Sequence, residues 1–183
     1  MRLTLMAMVL VFSMVFFGLI GCASKGPVET ETFQQVAVEE TVEEIIEPCT
    51  NLEGAMARAE ELTHDKYYGA TQYDGAINFN FDSYKLSAEA KEAIDSVVVP
   101  LVGADKTFFI EVQGHTDGFG TEGYNFQLGL NRARAVMGYL YQEHGVSLQR
   151  MNGFSCGELK PVADNDFDDG RAQNRRVTLV VIE

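Results

Sequence analysis

The sequence predicts an α/β two-layer sandwich in which the elements follow one another as β-α-β-α-β-β and the strands form a mixed sheet. Short runs with the two-residue period of strands alternate with longer runs at helical spacing. The last two strand-like runs follow each other without a long helix between them. Strands separated by helices indicate parallel neighbours, and a final pair without one indicates an antiparallel neighbour, so the sheet is expected to be mixed.

The first strand is predicted at Ile77–Phe81, where INFNF alternates apolar and polar residues. A helix follows, with Ser87 as its cap and Pro100 marking its end. Its predicted buried side chains are Ala93, Ile94, Val97, Val98 and Leu101.

The second strand is predicted at Thr107–Gly114, which is rich in aromatic and β-branched residues. A glycine-rich loop then leads into a long helix over Glu122–Glu143, which His144 and Gly145 end. The third and fourth strands are predicted at Arg150–Ser155 and over the final segment, RRVTLVVIE.

The first 21 residues have the layout of a lipoprotein signal peptide. A positive start, Met1 and Arg2, precedes a continuous apolar run that ends in Leu19-Ile20-Gly21-Cys22. This ending resembles a lipobox, which predicts lipidation at Cys22. Ala23 follows the cysteine, and the absence of an aspartate there predicts transport to the outer membrane. An uncleaved membrane anchor is the alternative, because about 18 apolar residues are enough for a transmembrane helix.

Residues 22–74 are interpreted as the lipidated cysteine, an acidic tether and a possible short helix. The tether, up to about Thr50, is rich in Glu, Thr, Val and Pro and has too little apolar periodicity to form a core. Leu52–Tyr68 has a helix-forming composition and could either pack on the domain or remain marginal. The compact domain is predicted over residues 75–183. Cys49 lies in the tether and Cys156 in a predicted loop, and the sequence leaves their pairing open.

The net charge of −13 argues against nucleic acid as a partner, because the phosphate backbone requires cationic protein surfaces. It argues equally against anionic lipid surfaces.

Polar and glycine-rich residues are concentrated in GHTDGFGTEGYNFQLGLNRARAV, which spans 114–136. Asp117 could cap a turn, pair with Arg132, or accept hydrogen bonds from a ligand ammonium group. Arg132 flanks the predicted apolar face of the long helix, so its guanidinium could reach a cleft or form an ordinary surface ion pair. Arg134 is predicted to be solvated. The apolar face consists of Gly129, Ala133, Val136, Met137 and Leu140.

If Asp117 and Arg132 line one pocket, a zwitterionic group could satisfy both, which selects an amino acid. The loop glycines would then allow the backbone to approach this ligand. They are Gly114, Gly118, Gly120 and Gly123.

His115 invites comparison with a metal site, but zinc normally needs three protein ligands. The other histidines, His64 and His144, lack the spacing of a ligand set. We therefore expect His115 to be a structural residue that forms hydrogen bonds near the strand end. No serine or cysteine lies in a recognisable nucleophile motif, so the sequence predicts no catalytic residue, no metal and no cofactor.

Arg171, Arg175 and Arg176 lie among acidic residues in DNDFDDGRAQNRRV. They could form a salt-bridged turn before the last strand or add anion selectivity to the cleft. The residues alone leave both interpretations open.

Three motifs in order, GHTDGFGTEGYNFQLGLNRARAV, GELKPVADN and GRAQNRRV, resemble the OmpA-like C-terminal domain over roughly Ala76–Glu183. Within that family, INFNFDSYKL and the long-helix motif are most similar to the peptidoglycan-associated lipoproteins. The resemblance implies a mixed sheet with its helices packed on one face. The segment Gly153–Glu158 departs from the usual Gly-aromatic-Gly-Glu loop of the family.

The resemblance implies non-covalent binding of peptidoglycan through the meso-diaminopimelate of its stem peptide. Asp117 would receive the ammonium group of diaminopimelate, Arg132 would grip the adjacent carboxylate, and Arg175 would support them. The other implied positions in or around the cleft are Asn125, Leu128, Thr116, Asp82, Ser83 and Tyr84.

The expected protein is thus a non-enzymatic outer-membrane lipoprotein that faces the periplasm and tethers the membrane to the cell wall. A periplasmic protein of the Tol system is the possible protein partner. The alternatives are a structural or adhesive lipoprotein without wall affinity, and a metal-dependent cell-wall hydrolase.

Overall fold

The computed structural model describes Cys49, residues 52–104 and residues 107–183. The predicted signal peptide, Cys22 and the acidic part of the tether lie outside these residues. Within the described part of the chain, no helix is both long and apolar enough to cross a bilayer. The elements are α1 (Leu52–Thr63), β1 (Ala70–Asn78), α2 (Ala88–Gly103), β2 (Phe109–His115), α3 (Glu122–His144), a 3-10 turn (Leu148–Arg150), β3 (Met151–Gly157), α4 (Asp168–Asn174) and β4 (Arg176–Ile182).

The four strands form one mixed sheet in the order β1-β4-β2-β3. β4 pairs antiparallel with both β1 and β2, whereas β2 and β3 run parallel because α3 provides the crossover between them. The predicted α/β class and the mixed sheet are confirmed.

Both long helices pack on one face of the sheet. Ile94 and Val98 of α2 are fully buried, as are Ala133, Val136 and Leu140 of α3. Ala93, Val97, Leu101 and Met137 pack against this core while partly exposed. The predicted apolar faces are therefore confirmed, and Arg134 is exposed as predicted. The Ser87 side chain accepts a hydrogen bond from the Ala90 amide at 3.1 Å, and Gly145 caps the end of α3 with a φ of 67°.

Two glycines let α3 approach the sheet closely. A side chain at Gly114 would place its Cβ 1.9 Å from the Gly129 carbonyl oxygen, and one at Gly129 would lie 2.3 Å from Ser155 Oγ. Gly114 therefore serves helix-to-strand packing, and the prediction that it opens the backbone to a ligand is wrong. The close contact fixes α3 relative to the end of β2, where the candidate site lies.

The helix α1 covers the opposite face of the sheet. Helices were expected on one face only, the face that α2 and α3 cover. Ala55, Ala59 and Tyr67 pack there against Phe109, Val180 and Ile182. Arg58 of α1 binds the buried Glu111 of β2 through two hydrogen bonds, of 2.8 and 2.9 Å. The segment that the sequence left open thus packs on the domain.

Cys49 and Cys156 form a disulfide, with their Cα atoms 6.0 Å apart and a separation of 107 positions in sequence. Cys156 lies in β3, so this bond fastens the chain just before α1 to the sheet. The structure resolves the pairing that the sequence left open. It also shows that the unusual segment at Cys156 is strand, with Gly157 in the left-handed region at a φ of 49°.

Several element boundaries differ from their predictions. The ends of β2 and β3 differ by one or two residues from the predicted Thr107–Gly114 and Arg150–Ser155. β1 begins at Ala70 and ends at Asn78, instead of spanning Ile77–Phe81, because Ala70–Tyr73 pair with Leu179–Ile182 of β4. The strand therefore starts before the predicted domain boundary at residue 75. α2 continues past Pro100 to Gly103, since a proline removes only one helical hydrogen bond and Leu101 still packs on the core. The region expected to be a turn before β4 contains the short helix α4.

Candidate functional site

The site lies at the carboxyl end of β2, where the chain leaves the sheet in a buried run. His115, Thr116 and Asp117 are each less than 5% exposed. The Thr116 amide donates to the Gly157 carbonyl at 2.9 Å, which continues the pairing of β2 with β3 past the end of the strand. The run of polar side chains is therefore held in place by the sheet.

Asp117 forms two of the contacts that its chemistry allows. One carboxylate oxygen accepts from the Phe119 amide at 3.3 Å, which is the turn expected of an aspartate at this position. The other accepts from Arg175 Nη1 at 2.9 Å. The ion-pair partner of Asp117 is Arg175, so the alternative of a direct pair with Arg132 is wrong.

Arg132 is fully buried. Its guanidinium donates to the carbonyl oxygens of Ser83 at 2.9 Å, His115 at 2.7 Å and Asn80 at 3.4 Å. It also lies 5.3 Å from the centre of the Phe79 ring. Burial lowers the pKa of Arg132 to about 10, against the opposing effect of the Asp117 carboxylate. Arg132 is thus charged at neutral pH. Because it is buried and donates to backbone carbonyls, the alternative of an ordinary surface ion pair is wrong.

Arg175 connects three segments at this site. It follows α4 directly, and its Nε donates to the Phe79 carbonyl at 3.1 Å while its Nη1 holds Asp117. The Phe79 amide in turn donates to the Arg175 carbonyl at 2.8 Å. The supporting position implied for Arg175 is consistent with these contacts.

The loop after β1 forms one side of the site. Ser83 supplies a carbonyl to Arg132, and Asp82 accepts a hydrogen bond from the Tyr124 hydroxyl. Asp82 has a positive φ of 51°, which is uncommon for a residue with a side chain. Tyr84 is exposed beside them.

The first turns of α3 form the other side, with Asn125 and Leu128 both buried. Asn125 Nδ2 donates to the Glu158 carboxylate. Asn125 Oδ1 and Thr116 Oγ1 are buried without a hydrogen-bond partner among the described residues. These two buried oxygens therefore have acceptor capacity that no group among the described residues uses.

Asn174 and Asn165 also organise the site, although neither was predicted as a site residue. Asn174 Oδ1 accepts from the amides of Val162 and Ala163, and its Nδ2 donates to Asn165 Oδ1 at 2.9 Å. Asn165 Oδ1 also accepts from the Gly118 amide at 3.1 Å, directly after Asp117. The usable signal was the position of Asn174 beside Arg175 in GRAQNRRV.

His115 does not form the side-chain hydrogen bonds predicted for it. Neither ring nitrogen has a partner among the described residues. Burial lowers the pKa of His115 to about 3, and the nearby charges of Arg176 and Arg132 act in the same direction. The ring is therefore neutral at physiological pH, and its carbonyl, rather than its imidazole, serves the site by binding Arg132.

The arginines before β4 divide between the two interpretations. Arg171 pairs with Asp168 three residues earlier in α4, within a helix instead of a turn. Arg176 Nε lies 3.9 Å from Asp74 Oδ1, so these two arginines form the ion pairs expected before β4. Arg175 is the one of the three that contacts Asp117. Within the described chain, no three His, Cys, Asp or Glu side chains group as a metal ion would require.

The pattern of the OmpA family matches residues 78–175, which is just over half of the chain. Peptidoglycan-associated lipoprotein of Pseudomonas aeruginosa is 42% identical over 101 residues, covering 55% of this chain and 58% of that protein. Outer-membrane lipoprotein YfiB of the same organism is 29% identical over 170 residues, covering 93% and 89%. The chain spans less than two thirds of several curated relatives, for example 29% of outer membrane porin F of Pseudomonas aeruginosa.

The crystal structure of the peptidoglycan-associated lipoprotein from Burkholderia pseudomallei is similar, with a TM-score of 0.53 and 35% identity. The match covers 57% of the present chain and 87% of the Burkholderia pseudomallei chain. The C-terminal domain of Helicobacter pylori MotB gives a TM-score of 0.51 at 27% identity, over 57% of this chain and 81% of that chain. Motifs, fold and relatives agree, and the chain belongs to the OmpA family.

Proposed function

We propose that this chain is an outer-membrane lipoprotein whose domain binds peptidoglycan non-covalently through the diaminopimelate of the stem peptide. The observation that carries the proposal is the buried Asp117 carboxylate, which is paired with Arg175 and lies in the field of Arg132. At the carboxyl end of β2, one carboxylate and two guanidinium groups could bind the positive and the negative group of a zwitterion.

The charges would match the far end of diaminopimelate, where an ammonium and a carboxylate share one carbon. The ammonium group would donate to Asp117 and to Thr116 Oγ1 and Asn125 Oδ1, which have no hydrogen-bond partner among the described residues. The carboxylate would accept from the guanidinium N–H groups of Arg132 and Arg175. Arginine has five N–H groups, and Arg132 uses three in its contacts with backbone carbonyls.

The other residues implied around the ligand differ in how deeply they are buried, and we assign their roles accordingly. Leu128 would supply apolar contact from α3, while Ser83 holds Arg132 in place. Asp82 and Tyr84 would form the rim. The domain would take up the ligand without large movement, because the sheet and α3 already fix Asp117 and Arg132.

The membrane half of the proposal rests on residues 1–21 as signal peptide and Cys22 as the lipidated residue. The alignment with an outer-membrane lipoprotein over 93% of the chain supports this placement. Acyl chains at one end and the domain, facing the periplasm, at the other would couple membrane and wall. Many weak links suffice, since both surfaces are multivalent. A Tol system periplasmic protein is the protein partner that we propose for the same face.

The proposal is tested by retention of the full-length chain on purified peptidoglycan sacculi. Asp117→Asn keeps the shape and the turn acceptor but removes the charge, and Arg132→Lys keeps the charge but removes the planar fork. Both should lose most of their retention. Arg134→Ala, an exposed arginine on the same helix, is the matched control and should bind like the unmodified chain.

Three outcomes contradict the proposal. Retention of Asp117→Asn at the level of the unmodified chain would show that Asp117 does not bind the ligand. A chain that does not bind sacculi at all would be a structural or adhesive lipoprotein. Release of soluble muropeptides that stops with a chelator would indicate the hydrolase.

A further inference from the structure

Three exposed aromatic side chains surround the mouth of the candidate site, on three different segments. Phe81 follows β1, Phe119 lies in the loop after β2, and Tyr124 is in the first turn of α3. Their exposed fractions are 63%, 57% and 49%. We call these three residues the aromatic rim. Large rings left this exposed beside one another indicate a binding surface.

The aromatic rim is held in position by its own contacts. The rings of Phe81 and Phe119 meet edge to face, with their centres 6.1 Å apart. The Arg171 guanidinium lies 5.1 Å from the centre of the Phe119 ring. The Tyr124 hydroxyl donates to Asp82. These contacts reduce the conformational freedom that the side chains would lose on binding a ligand.

The aromatic rim is continuous with the charged site. The Phe119 amide donates to the Asp117 carboxylate, so this ring is attached to the turn that would hold the ligand ammonium. Gly120 is in the left-handed region at a φ of 112°, and a Cβ there would lie 3.1 Å from the Tyr124 ring. The glycine therefore lets the loop that carries Phe119 lie against Tyr124.

The chemistry of the aromatic rim suits a sugar. Its rings alternate with hydrogen-bonding groups, the Asp82 carboxylate and the Arg171 guanidinium, rather than forming one continuous apolar patch of the kind at the centre of protein interfaces. A pyranose has the same alternation, with apolar C–H faces bordered by hydroxyl and amide groups. An uncharged amino sugar also avoids repulsion from a chain whose net charge is −13.

We propose that the aromatic rim binds the N-acetylated glycan backbone of peptidoglycan next to the stem peptide. This inference rests on the proposed function. Diaminopimelate is the third residue of the stem, so its sugar lies within about 10 Å of extended peptide. A ligand seated at Asp117 therefore brings its sugar within reach of this surface, and Phe119 stacks on the sugar face.

The test is calorimetric titration of the full-length chain with two ligands. One is the tripeptide L-Ala-γ-D-Glu-diaminopimelate, and the other is the same tripeptide attached to the N-acetylglucosamine–N-acetylmuramic acid disaccharide. The unmodified chain should bind the disaccharide ligand on the order of tenfold more tightly, as expected for an aromatic contact at the edge of a site. Phe119→Ala should lose this gain and keep its tripeptide affinity.

Tyr141→Ala is the matched control, because Tyr141 is 53% exposed near the other end of α3. It should keep the full gain. Equal affinities of the unmodified chain for the two ligands, or a full gain in Phe119→Ala, would overturn the glycan subsite while leaving the stem-peptide site intact. Binding of neither ligand would overturn the proposed function as well.

Discussion

Two buried carboxylates of β2 and its continuation, Glu111 and Asp117, are paired with arginines in different ways. Glu111 is fully buried, and Arg58 of α1 contacts both of its oxygens. Asp117 divides its oxygens between Arg175 and a backbone amide. The Asp117 carboxylate also acts electrostatically on a second arginine, Arg132, and raises its pKa against the effect of burial.

We infer that the Arg58–Glu111 pair stabilises the fold, whereas the Arg175–Asp117 pair can exchange partners with a ligand. One guanidinium satisfies Glu111, and both side chains lie between α1 and the sheet. Around Asp117 the network is incomplete, because Thr116 Oγ1 and Asn125 Oδ1 lack partners among the described residues. We therefore expect changes on the α1 side to alter stability and changes at Asp117 to alter binding.

The largest expected effect comes from the disulfide that fastens the start of α1. The disulfide closes a loop between two cysteines that are 107 positions apart in sequence. Replacing both Cys49 and Cys156 by serine opens this loop. The free energy of unfolding should fall by about 4 kcal/mol, measured by urea denaturation against the oxidised chain. Retention on sacculi should be unchanged at temperatures where the variant is folded. Lost retention in a folded variant would contradict the division between the two regions.

Arg58→Ala should have the next largest effect, because it leaves the Glu111 charge buried without its partner. We expect a loss of about 3 kcal/mol in the free energy of unfolding. Arg134→Ala is the control and should change it by less than about 0.5 kcal/mol. A similarly small change in Arg58→Ala would show that α1 adds little to the domain.

Glu111→Gln and Asp117→Asn are matched substitutions, since each removes one negative charge and keeps the shape of the side chain. Asp117→Asn should weaken sacculus binding by about 10-fold to 100-fold, as expected for the loss of a charged hydrogen bond of about 1.5 to 3 kcal/mol. Glu111→Gln should lower stability and leave binding within about twofold. Weakened binding in Glu111→Gln, together with unchanged binding in Asp117→Asn, would contradict the different roles of the two carboxylates.

His115 should make the chain less stable in acid. Its pKa is about 3 in the folded chain and about 6.5 when unfolded, so below pH 6.5 the unfolded state takes up the proton first. Stability from this group is complete above pH 6.5 and falls as the pH decreases toward 3. Between pH 7 and 5 the loss should be about 2 kcal/mol, and His115→Phe should lack it. Urea denaturation at both pH values measures the difference, and equal pH dependence would contradict the burial of a neutral imidazole.

Periodicity was sufficient to predict the elements that face the main core. α2, α3 and β4 repeat their apolar residues at the spacing of their structure, and β2 is buried along its whole length. The start of β1 gave no such signal, because Thr71–Asp74 are exposed at the sheet edge and gain their strand conformation from pairing with β4. α4 is only seven residues long and has no apolar stripe.

The sequence was sufficient to predict which residues form the candidate site, but not which of them contact one another. The motif identified Asp117, Arg132 and Arg175, and the structure places all three around the end of β2. Their pairing depends on tertiary distances: the loop after β1 supplies carbonyls that bind Arg132, and this leaves Arg175 to hold Asp117. Neither contact has a local sequence signal.

The proposed site recognises both charges at the end of diaminopimelate, the ammonium and the carboxylate. Lysine has the same side chain without the terminal carboxylate, so L-Ala-γ-D-Glu-L-Lys is a matched ligand. Calorimetric titration of the full-length chain should show the diaminopimelate tripeptide binding at least about tenfold more tightly, because the lysine tripeptide leaves the arginines without a carboxylate. Equal affinity for the two tripeptides would contradict the claim.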